Sequence, residues 1–279
     1  MFATIRHTFE LMKMSWRVLM KDRELIFFPI MAALTILVTV GVFYVVASST
    51  GTLDRIDAVQ NEEPGAALTA ADVLLGVGVF FLTTFIGIFF NSALVAAALE
   101  RLRGGDPNVA SGLRGALVHI HIIIGWAVIA GTVGLILQLA RSRTDNFLGR
   151  IAIAIAGGVW AYMTFFVVPV LVAEGIGPVA AIKRSAGLFR KTWGRQAASS
   201  FGFGIVYLLA GLIALLPTAA LFYIHPILGV AAGAVFFGIA LGGVAAMEGI
   251  FKAALYEYAN GEQPLEFDQQ TLSSAYRGM

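Results

Sequence analysis

Charged residues are missing from six long stretches of the chain and gather between them. Residues 25–48, 73–99, 115–140, 151–173, 197–221 and 226–247 each run for 22 to 27 residues without Asp, Glu, Lys or Arg. A helix rises about 1.5 Å per residue, so each run crosses the roughly 30 Å hydrocarbon core of a bilayer with some tilt. The pattern predicts an all-α fold, a polytopic transmembrane helical bundle of six spans that forms a single integral membrane domain over residues 1–279.

The segments between the runs carry a second pattern. In residues 1–21, Phe2, Ile5, Phe9, Met12, Trp16 and Leu19 recur at steps of three and four, while Arg6, Lys13, Arg17 and Lys21 fall largely elsewhere. This spacing predicts an amphipathic interfacial helix with Trp at the membrane surface. After the fourth run, Glu174-Gly-Ile-Gly-Pro178 breaks the chain and puts Pro where a new helix can begin. Val179, Ile182, Ala186, Phe189 and Trp193 then trace an apolar face, with Lys183, Arg184, Arg190, Lys191 and Arg195 around it. A shorter helix of the same kind is expected from Asn108 to about His119.

An amphipathic segment followed by a pair of spans thus occurs three times, which suggests parallel repeats over residues 1–105, 106–176 and 177–264, with 265–279 as a tail. The ends of the first and third units are alike: Ala97-Ala-Leu-Glu-Arg-Leu-Arg-Gly-Gly-Asp106 beside Ala253-Ala-Leu-Tyr-Glu-Tyr-Ala-Asn-Gly-Glu262, each with a Pro within two residues.

Composition strengthens the membrane reading. Charged residues make up 13%, against about 25% in a soluble domain, too few to coat a water-exposed surface. The 31 glycines suit helices that approach closely without a hydrophobic effect between them. Gly229 with Gly233 and Gly238 with Gly242 form two GxxxG pairs, followed by Ala246, Gly249 and Ala253, so the sixth span is expected to pack inside the bundle. Cysteine is absent, which excludes disulfides, thiolate nucleophiles and Cys-based metal sites.

Charge sets the expected orientation. With six spans, fifteen of the nineteen basic residues fall on one side; Arg55, Arg141, Arg143 and Arg150 fall on the other. By the positive-inside bias both termini are cytoplasmic, as are the amphipathic helices. The short basic loop 141–150 runs against the bias. No signal peptide is evident, because the first apolar run is much longer than the 7 to 15 residues of an h-region, so this span is expected to remain as an anchor.

The stretch Phe165-Phe-Val-Val-Pro-Val-Leu-Val-Ala-Glu-Gly-Ile-Gly-Pro-Val-Ala-Ala-Ile-Lys-Arg-Ser185, with Leu188-Phe-Arg-Lys-Thr-Trp193, resembles a family of uncharacterised prokaryotic multi-pass membrane proteins. Ser15-Trp-Arg and Lys21-Asp-Arg-Glu-Leu-Ile-Phe-Phe-Pro29 resemble that family's start. More remotely, the pattern of Pro, Glu-Gly, Pro, Ala and Lys-Arg-Ser is similar to the membrane domain attached to some glycerophosphodiester phosphodiesterases. The resemblance implies this topology, a prokaryotic plasma (inner) membrane and a connection with lipid; it implies no activity.

Candidate chemistry is sparse. His119 and His121 lie about 200 degrees apart on a helix and cannot share a metal, and His7 and His225 fall on opposite sides. No Walker loop, HExxH or GxSxG occurs. The clusters Asp54 with Asp57 and Glu62 with Glu63 read as a solvated loop. No metal or other cofactor is expected. Glu248 and Lys252, at i and i+4 near the cytoplasmic end of span six, are the candidate intramembrane polar pair. Asn91 with Ser92, Gln138 and Thr164 could line a cavity or bond between helices, and Pro169 and Pro217 are expected to kink spans four and five.

The reading is a non-catalytic integral membrane protein, not an enzyme, that contacts lipids or a membrane protein partner or its own copy. Anionic headgroups would bind Lys183, Arg184, Arg190, Lys191 and Arg195. The alternative is a transporter or channel for an apolar or lipidic substrate. Nucleic-acid binding is not expected, because the basic residues are cytoplasmic loop charges and form no separate domain.

Overall fold

The computed structural model describes residues 2–193, 203–265 and 267. It is 85% helical, with no strand among the described residues. In order the helices are α1 (Phe2–Lys21), α2 (Phe27–Ser49), α3 (Thr52–Gln60), α4 (Ala70–Leu102), α5 (Val109–Val118), α6 (Ile120–Ser142), α7 (Phe147–Thr164), α8 (Val167–Glu174), α9 (Pro178–Trp193), α10 (Phe203–Ile224) and α11 (Pro226–Ala259), with a 3-10 turn at Arg23–Ile26 leading into α2. Among the described residues, six helical stretches are long and apolar enough to cross a membrane: Arg23–Ser49, Ala70–Leu102, Ile120–Ser142, Phe147–Glu174, Val206–Ile224 and Leu228–Ala259. The chain is a multi-pass membrane protein. The start of the fifth apolar run, residues 197–202, lies outside the described residues.

Local chemistry sets the boundaries. Thr69 caps α4 in a reciprocal box with Asp72, and Asn108 caps α5 in the same way with Ser111, so orphan N–H groups at both starts are satisfied. Asn146 Oδ1 accepts from Gly149 N at 2.6 Å and starts α7. The fourth span breaks at Phe165 and Phe166, between α7 and α8. Pro169 explains the position: its ring crowds the carbonyl four residues back, that of Phe165. The N–H of Phe166, buried at the break, donates instead to Ser185 Oγ at 2.9 Å. Pro217 has no such consequence, for α10 runs through it without interruption.

The core sits at one end of the bundle, the end carrying α1, α5 and α9, hereafter the basic end. Its buried residues come from the second halves of α4 and α11, from α8, and from the amphipathic helices: Ala93–Leu99 and Leu102, Val244–Ala259 in large part, Phe166–Leu171 in large part, with Met14, Val18 and Leu19 of α1 and Ala181, Leu188 and Phe189 of α9. Small residues allow the closest approach. A Cβ on Gly112 of α5 would stand 2.7 Å from the Ala93 carbonyl oxygen, and one on Gly115 would stand 2.7 Å from Ala96 Cβ.

Toward the opposite end the helices spread. None of the residues of α7 is buried. In the first half of α11 Gly229 lies against Phe222 and Gly233 against Thr218 of α10, while Gly242 and Gly249 reach Pro29, Ile30 and Leu94 in α2 and α4. The small-residue face of the sixth span thus meets α10 in its first half and the centre of the bundle in its second. One polar latch marks the opposite end. Asp72, almost wholly buried, accepts from Thr52 Oγ1 at 2.6 Å, Arg55 Nη2 at 2.6 Å, Arg55 Nε at 2.8 Å and Thr69 N at 2.8 Å, and so ties α3 to the start of α4.

Candidate functional site

The amphipathic helices present different faces from those their spacing suggests. On α9 the buried stripe is Ala181, Ser185, Leu188 and Phe189, turned against α7, α8 and α11. Ile182 and Ala186 are only half-buried, and Val179 is 59% exposed. On α1, Met14, Ser15, Val18 and Leu19 are buried, whereas Trp16 remains 46% exposed. Each helix packs one apolar stripe on the bundle and keeps apolar side chains on its outward face, Trp16 and Met20 on α1 and Val179 on α9.

Exposed cations share those outward faces. On α1, Lys13, Trp16, Arg17 and Met20 recur at i, i+3, i+4 and i+7, all exposed. On α5, exposed Arg114 stands one turn before Leu117, 52% exposed, and Val118. On α9, exposed Val179, Lys183 and Arg190 lie on one line at i, i+4 and i+11. Alternating cation and apolar side chain on one face of a helix is the chemistry of the headgroup boundary, where an apolar body sinks and an ammonium or guanidinium stays wet.

Of the five residues assigned to headgroups from sequence, Lys183 and Arg190 are exposed and have no partner among the described residues. Arg184 is engaged: its Nε donates to Glu174 Oε1 at 2.9 Å and its Nη2 to Asn260 Oδ1 at 2.8 Å. Tyr256 hydroxyl also donates to Glu174 Oε1, at 3.0 Å. Arg184 thus joins α9 to the ends of α8 and α11. Lys191 falls within the last turn of α9, its side chain outside the described residues, and Arg195 lies outside them altogether. Lys13, Arg17 and Arg114 were not among the residues assigned to headgroups from sequence; the signal for them is their spacing from Trp16, Leu117 and Val118.

Further ion pairs bind the helix ends together. Arg101 spans Asp22, just after α1, and Asp106, the latter at 2.9 Å. Arg103 Nη2 donates to Glu257 Oε1 at 2.7 Å, joining α4 to α11, and this bond holds the guanidinium above its ordinary pKa. Glu24 accepts from Val109 N at 3.0 Å at the start of α5.

Glu248 and Lys252 do meet, at 2.7 Å, with both side chains half-buried. The partner not legible in sequence is Tyr207 on α10, whose hydroxyl donates to Glu248 Oε2 at 2.8 Å. Lys252 Nζ lies 5.6 Å from the centre of the Phe165 ring, at the break in span four. The cluster is electrically balanced and links three spans. Two other polar residues of the spans are used locally: Ser92 Oγ donates to Ile88 O and Thr164 Oγ1 to Trp160 O, each at 2.8 Å, within their own helices. Gln138 is exposed. His119 Nδ1 lies 3.1 Å from Gly115 O, at the junction of α5 and α6. Among the described residues no three His, Asp or Glu come together as a metal site would require.

No curated protein and no solved structure matches the chain. A family model matches from the second residue of α4 to the proline after α11, and on those residues, 71–264, the chain belongs to the family described as "Family of unknown function (DUF6159)".

Proposed function

We propose that this is a non-catalytic integral membrane protein of the prokaryotic plasma membrane, with both termini in the cytoplasm, whose basic end binds the anionic leaflet. One observation carries the reading: three amphipathic helices, already packed on the bundle by one face, each expose at least one cation beside at least one apolar side chain on the outward face. A headgroup layer accepts Trp16, Leu117 and Val179 next to Arg17, Arg114 and Lys183, with the apolar bodies sunk and the charges wet. Basic residues near an anionic leaflet gain about 1 kcal/mol each, so Lys13, Arg17, Arg114, Lys183 and Arg190 together supply up to about 5 kcal/mol before screening. The six spans already anchor the chain, so this energy fixes helix position and lipid preference. The sequence resemblance to a membrane domain found beside lipid-directed enzymes points the same way.

The test replaces these five residues by Gln in the full chain. Cysteines placed at Ser49 and Gln263 of the cysteine-free protein first report, by labelling with an impermeant reagent, that orientation is unchanged: position 49 reacts on intact cells and position 263 only after lysis. Native mass spectrometry of lipid bound after purification should then show anionic lipid enriched around the parent and reduced several-fold around the variant, with the difference fading as salt rises. Equal enrichment in both proteins would leave the charges with a topological role only. Transport of an apolar or lipidic substrate, the second reading, draws on the Glu248–Lys252–Tyr207 cluster. It gains ground only if Glu248→Gln alters substrate flux in vesicles while leaving lipid enrichment as in the parent.

A further inference from the structure

Three spanning segments reach the basic end with a glutamate in the helix, then a glycine of positive φ and a proline: Glu100, Gly104 and Pro107 at the end of α4; Glu174, Gly175 and Pro178 at the end of α8; Glu257, Gly261 and Pro264 at the end of α11, with Glu174 directly before its glycine and the other two glutamates four residues before theirs. On α4 and α11 the capping bonds match one for one. Gly105 N donates to Glu100 O and Gly104 N to Arg101 O, both at 2.9 Å; Glu262 N donates to Glu257 O at 3.0 Å and Gly261 N to Tyr258 O at 2.9 Å. This is a six-to-one and a five-to-two bond at each end, so Glu100 and Glu257 occupy equivalent positions. The equivalence lies one residue away from the register set by Ala97-Ala-Leu and Ala253-Ala-Leu.

The three carboxylates are not treated alike. Glu257 is held by Arg103, and Glu174 by Arg184 and Tyr256. Glu100 has no ion pair or hydrogen bond to its carboxylate among the described residues, and instead lines a cavity of about 480 Å³ between α4, α5 and α8. Leu99, Val172 and Ala173 give the cavity apolar walls, Arg103 and Ser111 line it as well, and Gly115 borders it on the α5 side.

Its walls include the last turns of α4 and α8, whose C-termini carry partial negative charge, and Ser111 in the first turn of α5, whose N-terminus carries partial positive charge. The neighbouring guanidiniums are already matched, Arg101 by Asp22 and Asp106, Arg103 by Glu257. Glu100 is therefore an unmatched carboxylate in a cavity of mixed polar and apolar lining, whereas Glu257 and Glu174 each hold a donor.

We infer that the cavity beside Glu100 binds an organic ammonium group carried on an apolar body, with the ammonium on the Glu100 carboxylate and the apolar part against Leu99, Val172 and Ala173. The chemistry has two sources, the ethanolamine headgroup of a membrane phospholipid or a soluble alkylamine. This site takes the opposite charge from the outward basic stripes, so its failure leaves the anionic-lipid reading intact.

The test uses the full chain in nanodiscs of choline and glycerol phospholipids. Calorimetry reads binding of n-hexylammonium, and in a second arm native mass spectrometry reads enrichment of added ethanolamine phospholipid. Glu100→Gln keeps the shape, removes the charge and breaks no existing bond, so its thermal midpoint should match the parent; the loss of a charge-assisted contact should weaken binding by about tenfold or more. Ala173→Leu, which narrows the cavity from α8, should weaken the same ligand while leaving Glu100 in place. Loss of ethanolamine-lipid enrichment in both variants assigns the site to lipid, and loss of hexylammonium binding alone assigns it to a soluble amine. The proposal is overturned if neither amine binds the parent, if Glu100→Gln and Ala173→Leu bind as the parent does, or if a lysine-bearing partner protein occupies the cavity in their place.

Discussion

The two ends of this bundle are held together by different means. At the basic end, α1, α5 and α9 wrap the converging ends of α4, α8 and α11, with side chains such as Leu19, Phe28, Phe166 and Leu255 wholly excluded from contact with the surroundings. At the opposite end α7 has no buried residue, and the Asp72 latch is the main polar tie. The contrast follows from the solvent. In the hydrocarbon core a Leu gains nothing by leaving lipid for protein, so helices there associate only through close packing and hydrogen bonds. At the headgroup boundary water competes again, and burying a Leu or Phe is worth about 1.5–3 kcal/mol. The amphipathic helices bring the hydrophobic effect to the one level of the membrane where it operates.

Substitutions in the two regions should therefore differ sharply. The largest effect is expected from Gly112→Leu. A side chain there collides with the Ala93 backbone and Ala97, so α5 must leave α4. Overpacking against backbone falls at the upper end of its usual range, about 3 kcal/mol or more, read as a lowered thermal midpoint in detergent and new proteolytic cleavage near residues 105–120. A midpoint equal to the parent's would mean that the basic end is as loosely held as the other.

Ser185→Ala should cost less, about 1–3 kcal/mol, because the buried Phe166 N–H at the break in span four loses its acceptor. The same midpoint measurement checks it, and Ser185→Thr, which can keep the acceptor, should recover part of the loss. Asp72→Asn should act only locally. It weakens the tie to Arg55 and Thr52, so amide exchange should quicken in α3 while the residues of α4 beyond the first turns stay protected. Slower folding or a collapse of the basic end in this variant would break the separation of the two regions. The smallest effect belongs to Gly158→Leu on α7, where nothing lies within 4 Å of an added Cβ; the midpoint should hold or rise slightly, by up to about 1 kcal/mol of helix propensity.

Much of this arrangement is legible in the sequence, and what is not has a consistent cause. Six spans follow from runs of apolar residues, since each helix satisfies its own backbone and needs no neighbour to be stable in lipid. The amphipathic helices, the start of α5 at Asn108 and the pairing of Glu248 with Lys252 are equally local, set by spacing of three or four residues along one helix. Which face of α1 and α9 packs on the protein was not legible, because apolar side chains lie on more than one side of each helix, Trp16 opposite Val18 and Val179 apart from Leu188, and only the shape of the bundle chooses between them. Arg184 illustrates the limit. Its type and position suit a headgroup, but the fold brings Glu174 and Asn260 within 2.9 Å and 2.8 Å.

By itself the sequence determined that the chain crosses a membrane, where its helices lie and which end is basic, because those properties rest on hydropathy and charge counted along one chain. The tertiary structure decided that the core gathers at the basic end, that span four breaks at Phe165 and Phe166 with Ser185 completing the break, and that Glu257 and Glu174 are matched while Glu100 faces a cavity. Those depend on residues up to 154 positions apart, as with Arg103 and Glu257, and no local period encodes a contact between helices that only packing brings together.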